Sequence, residues 1–294
     1  MSYILVGALT NENIFQIGMD SVIPFFPHRF FHLSPSFVRR GNRALAFGRV
    51  LGRLGAAQRS MQILSILVLM ERRRQSILAL LLVAAMPTTS IVFALQWSDS
   101  EFLTQAFFIF AKLWIIAISL YWLYRVDNSK FSLQRTREGE RSGLIIGSGM
   151  FFIILATYMI LGESIDIEKM RAEIGSTGLL DRNTFLIGVV YWVIFNSLVE
   201  EFVFRKFVGE RLLELTGSQT LSIIGSAAIF TLHHTVALSF YFVWWQTLLA
   251  TIGILVAGGI WSWLYLRYYS LSACWISHAI ADVAVFGTAY LILF

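Results

Sequence analysis

Apolar residues run along this chain in long, nearly charge-free stretches from Ser76 to the C-terminus. They are continuous and do not alternate with polar residues as the strands of a membrane barrel do. A bilayer core of about 30 Å needs roughly 20 apolar residues per helix. Seven runs meet that length, at about 76–96, 102–124, 143–162, 184–206, 219–238, 245–267 and 271–293. In lipid only helices and closed barrels satisfy every backbone group. The pattern therefore predicts an all-α fold, a polytopic membrane bundle of about seven transmembrane helices over residues 70–294. The stretch Ile63–Met70 is apolar but too short to span.

Residues 1–69 read differently. Their cations are all arginine (Arg29, Arg39, Arg40, Arg43, Arg49, Arg53, Arg59), and they hold Pro24, Pro27 and Pro35, three of the chain's four prolines. They read as an N-terminal extension, weakly structured or lying on the membrane surface. Met70, followed by Glu71-Arg72-Arg73-Arg74 and an apolar run, reads as a natural start. Residues 1–20 lack the basic leading region of a secretory signal peptide.

Composition agrees with the membrane reading, since 57% of the 294 residues are hydrophobic and only 14% charged. The net charge of +5 sits mainly in linkers, so it marks topology and not a nucleic-acid partner. Arg72–Arg74 and the Arg/Lys-rich linker 125–141 alternate with the acidic connections Trp97–Glu101 and Glu163–Asp181. This predicts the residue 70 end and the 125–141 linker on the cytoplasmic side of the plasma membrane, with the C-terminus outside. Cys274 is the single cysteine, which excludes an intrachain disulfide and a cysteine metal cluster; it reads as a small packed residue. No internal repeat or low-complexity tract is evident.

Against this background some polar residues stand out, because a charge inside a span costs at least about 2.5–3.5 kcal/mol. The run Leu198-Val199-Glu200-Glu201-Phe202-Val203-Phe204-Arg205 holds two adjacent carboxylates, about 100° apart on a helix. Glu201 and Arg205 are i and i+4 and can pair. Glu200 is then the unpaired acid, a candidate general base; the bland alternative is an end-of-span pair facing headgroups. In Ser226–His234, Ser226, Phe230 and His234 share one helical stripe and His233 lies off it. His278 and Asp282 are i and i+4 in the last run, so both can address one point between helices. Asp282 has no basic residue in its own span. Lys112 lies inside the second run and reads as snorkelling toward an interface. Gly253, Gly258 and Gly259 suit close helix packing.

In order, these motifs are Glu-Glu-x-x-x-Arg, Phe-x-x-x-His and His-x-x-x-Asp, each in a separate late span. Together they resemble the CAAX protease and bacteriocin-processing family of intramembrane endopeptidases, over residues 184–294. The resemblance implies that Glu200 activates water with help from His234, that Glu201 and Arg205 form a supporting pair, and that His278 and Asp282 complete the site. The family's third motif often ends in asparagine, where this chain has Asp282. An ionised aspartate cannot donate to an oxyanion, so Asp282 is read as orienting His278, binding metal or being protonated. His233 is not required by the motif. No His-Glu-x-x-His helix is present, and the expected mechanism uses no cofactor. Zinc held by Glu200, His234, His278 and Asp282 is the alternative.

The expected partners are membrane lipid and a membrane-associated peptide or protein substrate, CAAX-type among the candidates. Competing functions are a non-catalytic scaffold or immunity protein of the same fold, and a proton-coupled transporter, which would show repeat halves. Neither substrate nor oligomeric state is encoded visibly. One geometric condition must hold for a shared site. If the fifth span starts near residue 219, His234 lies about 22 Å along it. The fourth helix is therefore predicted to continue to about Leu213, which would set Glu200 deeper than hydropathy suggests.

Overall fold

A computed structural model describes residues 41–98, 100–175 and 177–294. The reading of residues 1–40 lies outside the described residues. The chain divides into two units, Met1–Leu69 and Met70–Phe294. The described part of the first, from residue 41, is helical throughout; the sequence reading there is an extension either weakly structured or lying on the membrane surface. Alanine, leucine, glutamine and arginine are all good helix formers, and no proline falls between Pro35 and Pro87.

Among the described residues the bundle has seven helices long and apolar enough to cross a membrane. Helix α1 is Gly41–Val92, with its apolar span over Gln58–Val92. The helix thus begins well before residue 76 and runs through Ile63–Met70, while its charge-free stretch is the one that follows Arg74. The Arg72–Arg74 triplet interrupts hydropathy, but arginine does not interrupt a helix. Helix α2 is Glu101–Tyr121, capped by the Ser100 hydroxyl, which accepts from the Leu103 amide. Helix α3 is Arg137–Leu161, and the short α4, Ile167–Gly175, lies in the acidic linker. Helix α5 runs without a break over Arg182–Thr216 and stops at Gly217, whose φ of 66° suits glycine. Helices α6 (Gln219–Tyr241), α7 (Trp244–Tyr268) and α8 (Leu271–Leu293) complete the bundle.

Helix α5 is not a uniform α-helix. Wide, π-type turns at Tyr191–Asn196 and Phe202–Gly209 flank a five-residue α segment, Ser197–Glu201. Such turns leave backbone carbonyls without their i+4 partners and recur at functional sites. Here neighbouring helices supply the missing donors. Ser222 and Ser226 of α6 donate to the carbonyls of Gly209 and Phe204, both at 2.6 Å. Trp275 Nε1 of α8 donates to the Ile194 carbonyl at 3.0 Å. These bonds fix the register of α5 against α6 and α8, and so the direction in which the two glutamates point.

Helix α8 packs most closely on α3. Gly139, Gly143 and Gly147 form an i, i+4, i+8 row buried on α3. A Cβ built on Gly143 would lie 2.2 Å from the Ala273 carbonyl oxygen, and one on Gly147 would lie 2.8 Å from Ser277 Cα. Small residues at this spacing let membrane helix backbones approach. Of the three glycines expected to do this, Gly258 faces Phe230 and Ala227 closely, Gly259 has only Ile223 at 4.0 Å, and Gly253 faces nothing within 4 Å. The close seam is thus on α3. Cys274 is fully buried and its Sγ lies 3.3 Å from the Trp261 carbonyl oxygen, as a packed residue would.

Candidate active site

The site is built where α5, α6 and α8 meet around the segment Ser197–Glu201. Because α5 continues to Thr216, Glu200 lies about four turns inside its C-terminal end. Glu200 and Glu201 are both buried, at 5% and 0% exposure, so neither faces headgroup water.

Glu201 and Arg205 pair across one helical turn, with Arg205 Nε donating to Oε2 at 2.9 Å and a terminal nitrogen lying 3.3 Å from Oε1. The guanidinium is spent on structure. It reaches the hydroxyls of Ser226 and Ser262 at 3.4 and 3.2 Å and lies over the rings of Phe230 and Trp261. Cation–π contact with two rings together with hydrogen bonds suits an arginine wholly out of water. Ser226 and Phe230 of the α6 stripe therefore hold Arg205, and only His234 of that stripe reaches the other glutamate.

His278 Nδ1 donates to Glu201 Oε1 at 2.8 Å. Its ring stacks on Trp261 with centroids 4.1 Å apart. That fixes Nε2, which stands 3.6 Å from Asp282 Oδ1 and 3.9 Å from Glu200 Oε2. Asp282 and Glu200 thus both approach this one nitrogen. His234 Nδ1 lies 2.9 Å from the Phe230 carbonyl oxygen. A carbonyl only accepts, so Nδ1 carries the proton and Nε2 is the free nitrogen.

Glu200 is not the unpaired acid expected from its own helix. Lys112 Nζ of α2 lies 3.3 Å from its Oε1, and Asn196 Nδ2 donates to the same oxygen at 2.9 Å. Lys112 thus turns into the bundle and does not snorkel outward. Partner choice was read from i, i+4 spacing, which sees nothing outside one helix. His233 also belongs here. One ligand-capable atom each from Glu200, His233 and His234 lie within 4.8 Å of one another. Among the described residues this is the group whose spacing suits a metal ion, and it differs from the zinc set Glu200, His234, His278 and Asp282. It fits a cation poorly as it stands, because the Lys112 ammonium already neutralises the only carboxylate in it.

Sequence reasoning missed Asn196, misplaced Lys112 and set His233 aside. Asn196 is four residues before Glu200 in an apolar span, and that spacing was an available signal. His233 sits beside His234 and is 9% exposed, a burial that sequence gave no reason to expect.

Seven apolar helices and a buried corner of three carboxylates, three histidines and two fixed cations define an integral multi-pass membrane protein with an ionisable centre inside the bundle. Residues 182–284 match the family model of the type II CAAX prenyl endopeptidase Rce1-like proteins, that is, the CAAX protease and bacteriocin-processing family which the motifs resemble. The match takes in Glu200, Glu201, Arg205, His233, His234, His278 and Asp282 and leaves Lys112 outside. Nothing among the curated proteins or the solved structures matches the chain.

Proposed function

We propose that this protein is an intramembrane endopeptidase that hydrolyses a peptide bond of a membrane-associated substrate with a water activated by Glu200 and His234. The observation that carries the reading is the convergence of Glu200 Oε2, His234 and His278 Nε2 from three helices in a buried corner. The family match of residues 182–284 to endopeptidases supports it.

In this reading a water lies between Glu200 Oε2 and the free Nε2 of His234. Glu200 takes one proton as the water oxygen attacks the scissile carbonyl carbon. The carbonyl oxygen becomes an oxyanion, and His278 donates to it from Nε2 when that nitrogen carries a proton. Glu200 then passes its proton to the leaving amine as the C–N bond breaks. Glu201 fixes the His278 ring, and Arg205 holds Glu201 in place. Asp282 stands 3.6 Å from the same Nε2 and helps to orient the ring. No metal is needed for these steps.

The substrate is read as apolar. A groove of about 250 Å³ is lined by Ile116, Leu120 and Phe131 together with Leu198, Val199 and Phe202 of the α5 stretch that carries Glu200. Every lining side chain is apolar, which suits a lipid-modified or transmembrane segment, a prenylated CAAX peptide among them. The cytoplasmic face of the plasma membrane is the side from which the cation-rich linkers predict access.

The test is cleavage of a library of lipidated and transmembrane peptides by purified protein in nanodiscs, with and without chelator. Cleavage should persist in chelator. It should fall about 10²–10⁴-fold in Glu200→Gln and in His234→Ala, both of which should still fold. Full activity in Glu200→Gln would overturn the mechanism, and loss of activity in chelator would return zinc to the site. Asp282→Asn should retain activity, because its amide can still orient His278.

A further inference from the structure

Lys112 is the one site residue that comes from α2, outside the matched segment 182–284. It stands near the midpoint of a 21-residue helix, roughly 15 Å from either end, farther than a lysine side chain extends. It lies beside Ala111 and near Ile115, buried at 4% and 2%, while Leu113 next to it is 60% exposed. The lysine is therefore on the packed side of α2. Its side chain is 28% exposed, against 7% for that of Glu200.

Two donors, Lys112 Nζ and Asn196 Nδ2, address the same oxygen of Glu200, Oε1. Oε2 instead faces His278 Nε2 at 3.9 Å, beyond hydrogen-bond distance. The two oxygens of this carboxylate are thus different, one held and one open. The charges require the same partner. Three carboxylates meet here, and Arg205 is committed to Glu201, while His278 lies between Glu201 and Asp282. Without Lys112, Glu200 would be a buried charge with no fixed counter-charge, which a fold tolerates poorly.

We propose that Lys112, with Asn196, is a positioning residue that clamps Oε1 of Glu200 and presents Oε2 alone to the attacking water. The proposal rests on the hydrolytic reading above. It makes the active site a joint product of the matched segment and of α2. A base displaced by about 1 Å can lose about 10² in rate, and a clamp on one oxygen prevents that displacement.

The test uses the full chain in nanodiscs and the best peptide from the cleavage screen. Lys112→Met should lower kcat about 10²-fold and leave KM within about twofold. Lys112→Arg should retain most of the activity. Lys112→Ala should regain activity saturably with added methylammonium, which Glu200→Gln should not. A merely structural lysine would show neither the split nor the amine rescue. If Lys112→Met does not yield folded protein, Asn196→Ala takes its place, with the same fall confined to kcat. Wild-type kcat in Lys112→Met or Asn196→Ala, or a rise in KM alone, overturns the clamp. So does a loss that neither arginine nor methylammonium restores. If Lys112 variants are unaffected while Glu200→Gln is dead, the clamp fails and the hydrolytic reading stands. If wild type cleaves nothing, or Glu200→Gln cleaves as wild type does, both fail.

Discussion

Helices α1–α3 and α5–α8 bury different kinds of polar group. Among the described residues of α1 and α2 the buried polar ones are hydroxyls: Ser76, Ser90, Thr104 and Ser119. In α5–α8 they include Glu200, Glu201, Arg205, Arg211, His233 and His278. The way these groups are satisfied differs too. Ser76 Oγ, Ser119 Oγ, Trp114 Nε1 and Trp122 Nε1 are buried with no hydrogen-bond partner. Around Glu201 every partner is in place, from Arg205 and His278 to the serines behind the guanidinium. These hydroxyls and indoles are held by shape alone. Glu201 is held by a closed polar network, and a closed network costs far more to break than a packing contact.

Arg205→Met is the hardest blow to that network. It leaves the wholly buried Glu201 carboxylate without its counter-charge and should cost about 3–5 kcal/mol. The measurement is the melting transition of the purified protein in detergent. The double variant Glu201→Leu/Arg205→Met removes both charges and should recover much of that stability, yet stay inactive because His278 loses the acceptor for its Nδ1. If the single variant melts like wild type, the network is not what holds α5.

Gly143→Val tests the opposite principle. No charge is touched, but the added side chain meets the Ala273 backbone, which a Cβ alone would already approach to 2.2 Å. The α3–α8 seam should open at a cost of about 1–3 kcal/mol. Because α8 carries His278, activity should fall together with the melting temperature. Gly253→Val, with nothing within 4 Å of its added Cβ, should leave both unchanged.

The contrast also explains what could be read from the chain alone. The seven spans were legible because lipid selects for apolar length, which is a local property. Glu200, His234, His278 and Asp282 were legible because charge in such a span is conspicuous, and their order resembles a family pattern. Glu201 and Arg205 were legible as an i, i+4 pair. Lys112 was assigned outward because its partner is 88 positions away, and no periodicity reports that. The wide turns of α5 were hidden for the same reason: their stability comes from Ser222, Ser226 and Trp275 on other helices. The Gly139–Gly143–Gly147 row is legible as small residues four apart, a spacing that Gly253, Gly258 and Gly259 of α7 do not share.

The smallest effects separate the halves most finely. Ser226 Oγ donates to the Phe204 carbonyl at 2.6 Å and lies 3.4 Å from Arg205, whereas Ser76 Oγ is equally buried and bonds to nothing. Removing a hydroxyl that satisfies a buried carbonyl should cost about 1 kcal/mol. Removing one that is itself unsatisfied returns the desolvation cost of that group and should be neutral or stabilising. Ser226→Ala should therefore lower the melting temperature, and Ser76→Ala should hold or raise it, for the same change of one oxygen at the same burial. Equal shifts in the two would mean that hydroxyls are bound alike throughout the bundle and that the division between shape and network is false. A drop confined to Ser226→Ala would tie the wide turn of α5 directly to the serines that close it.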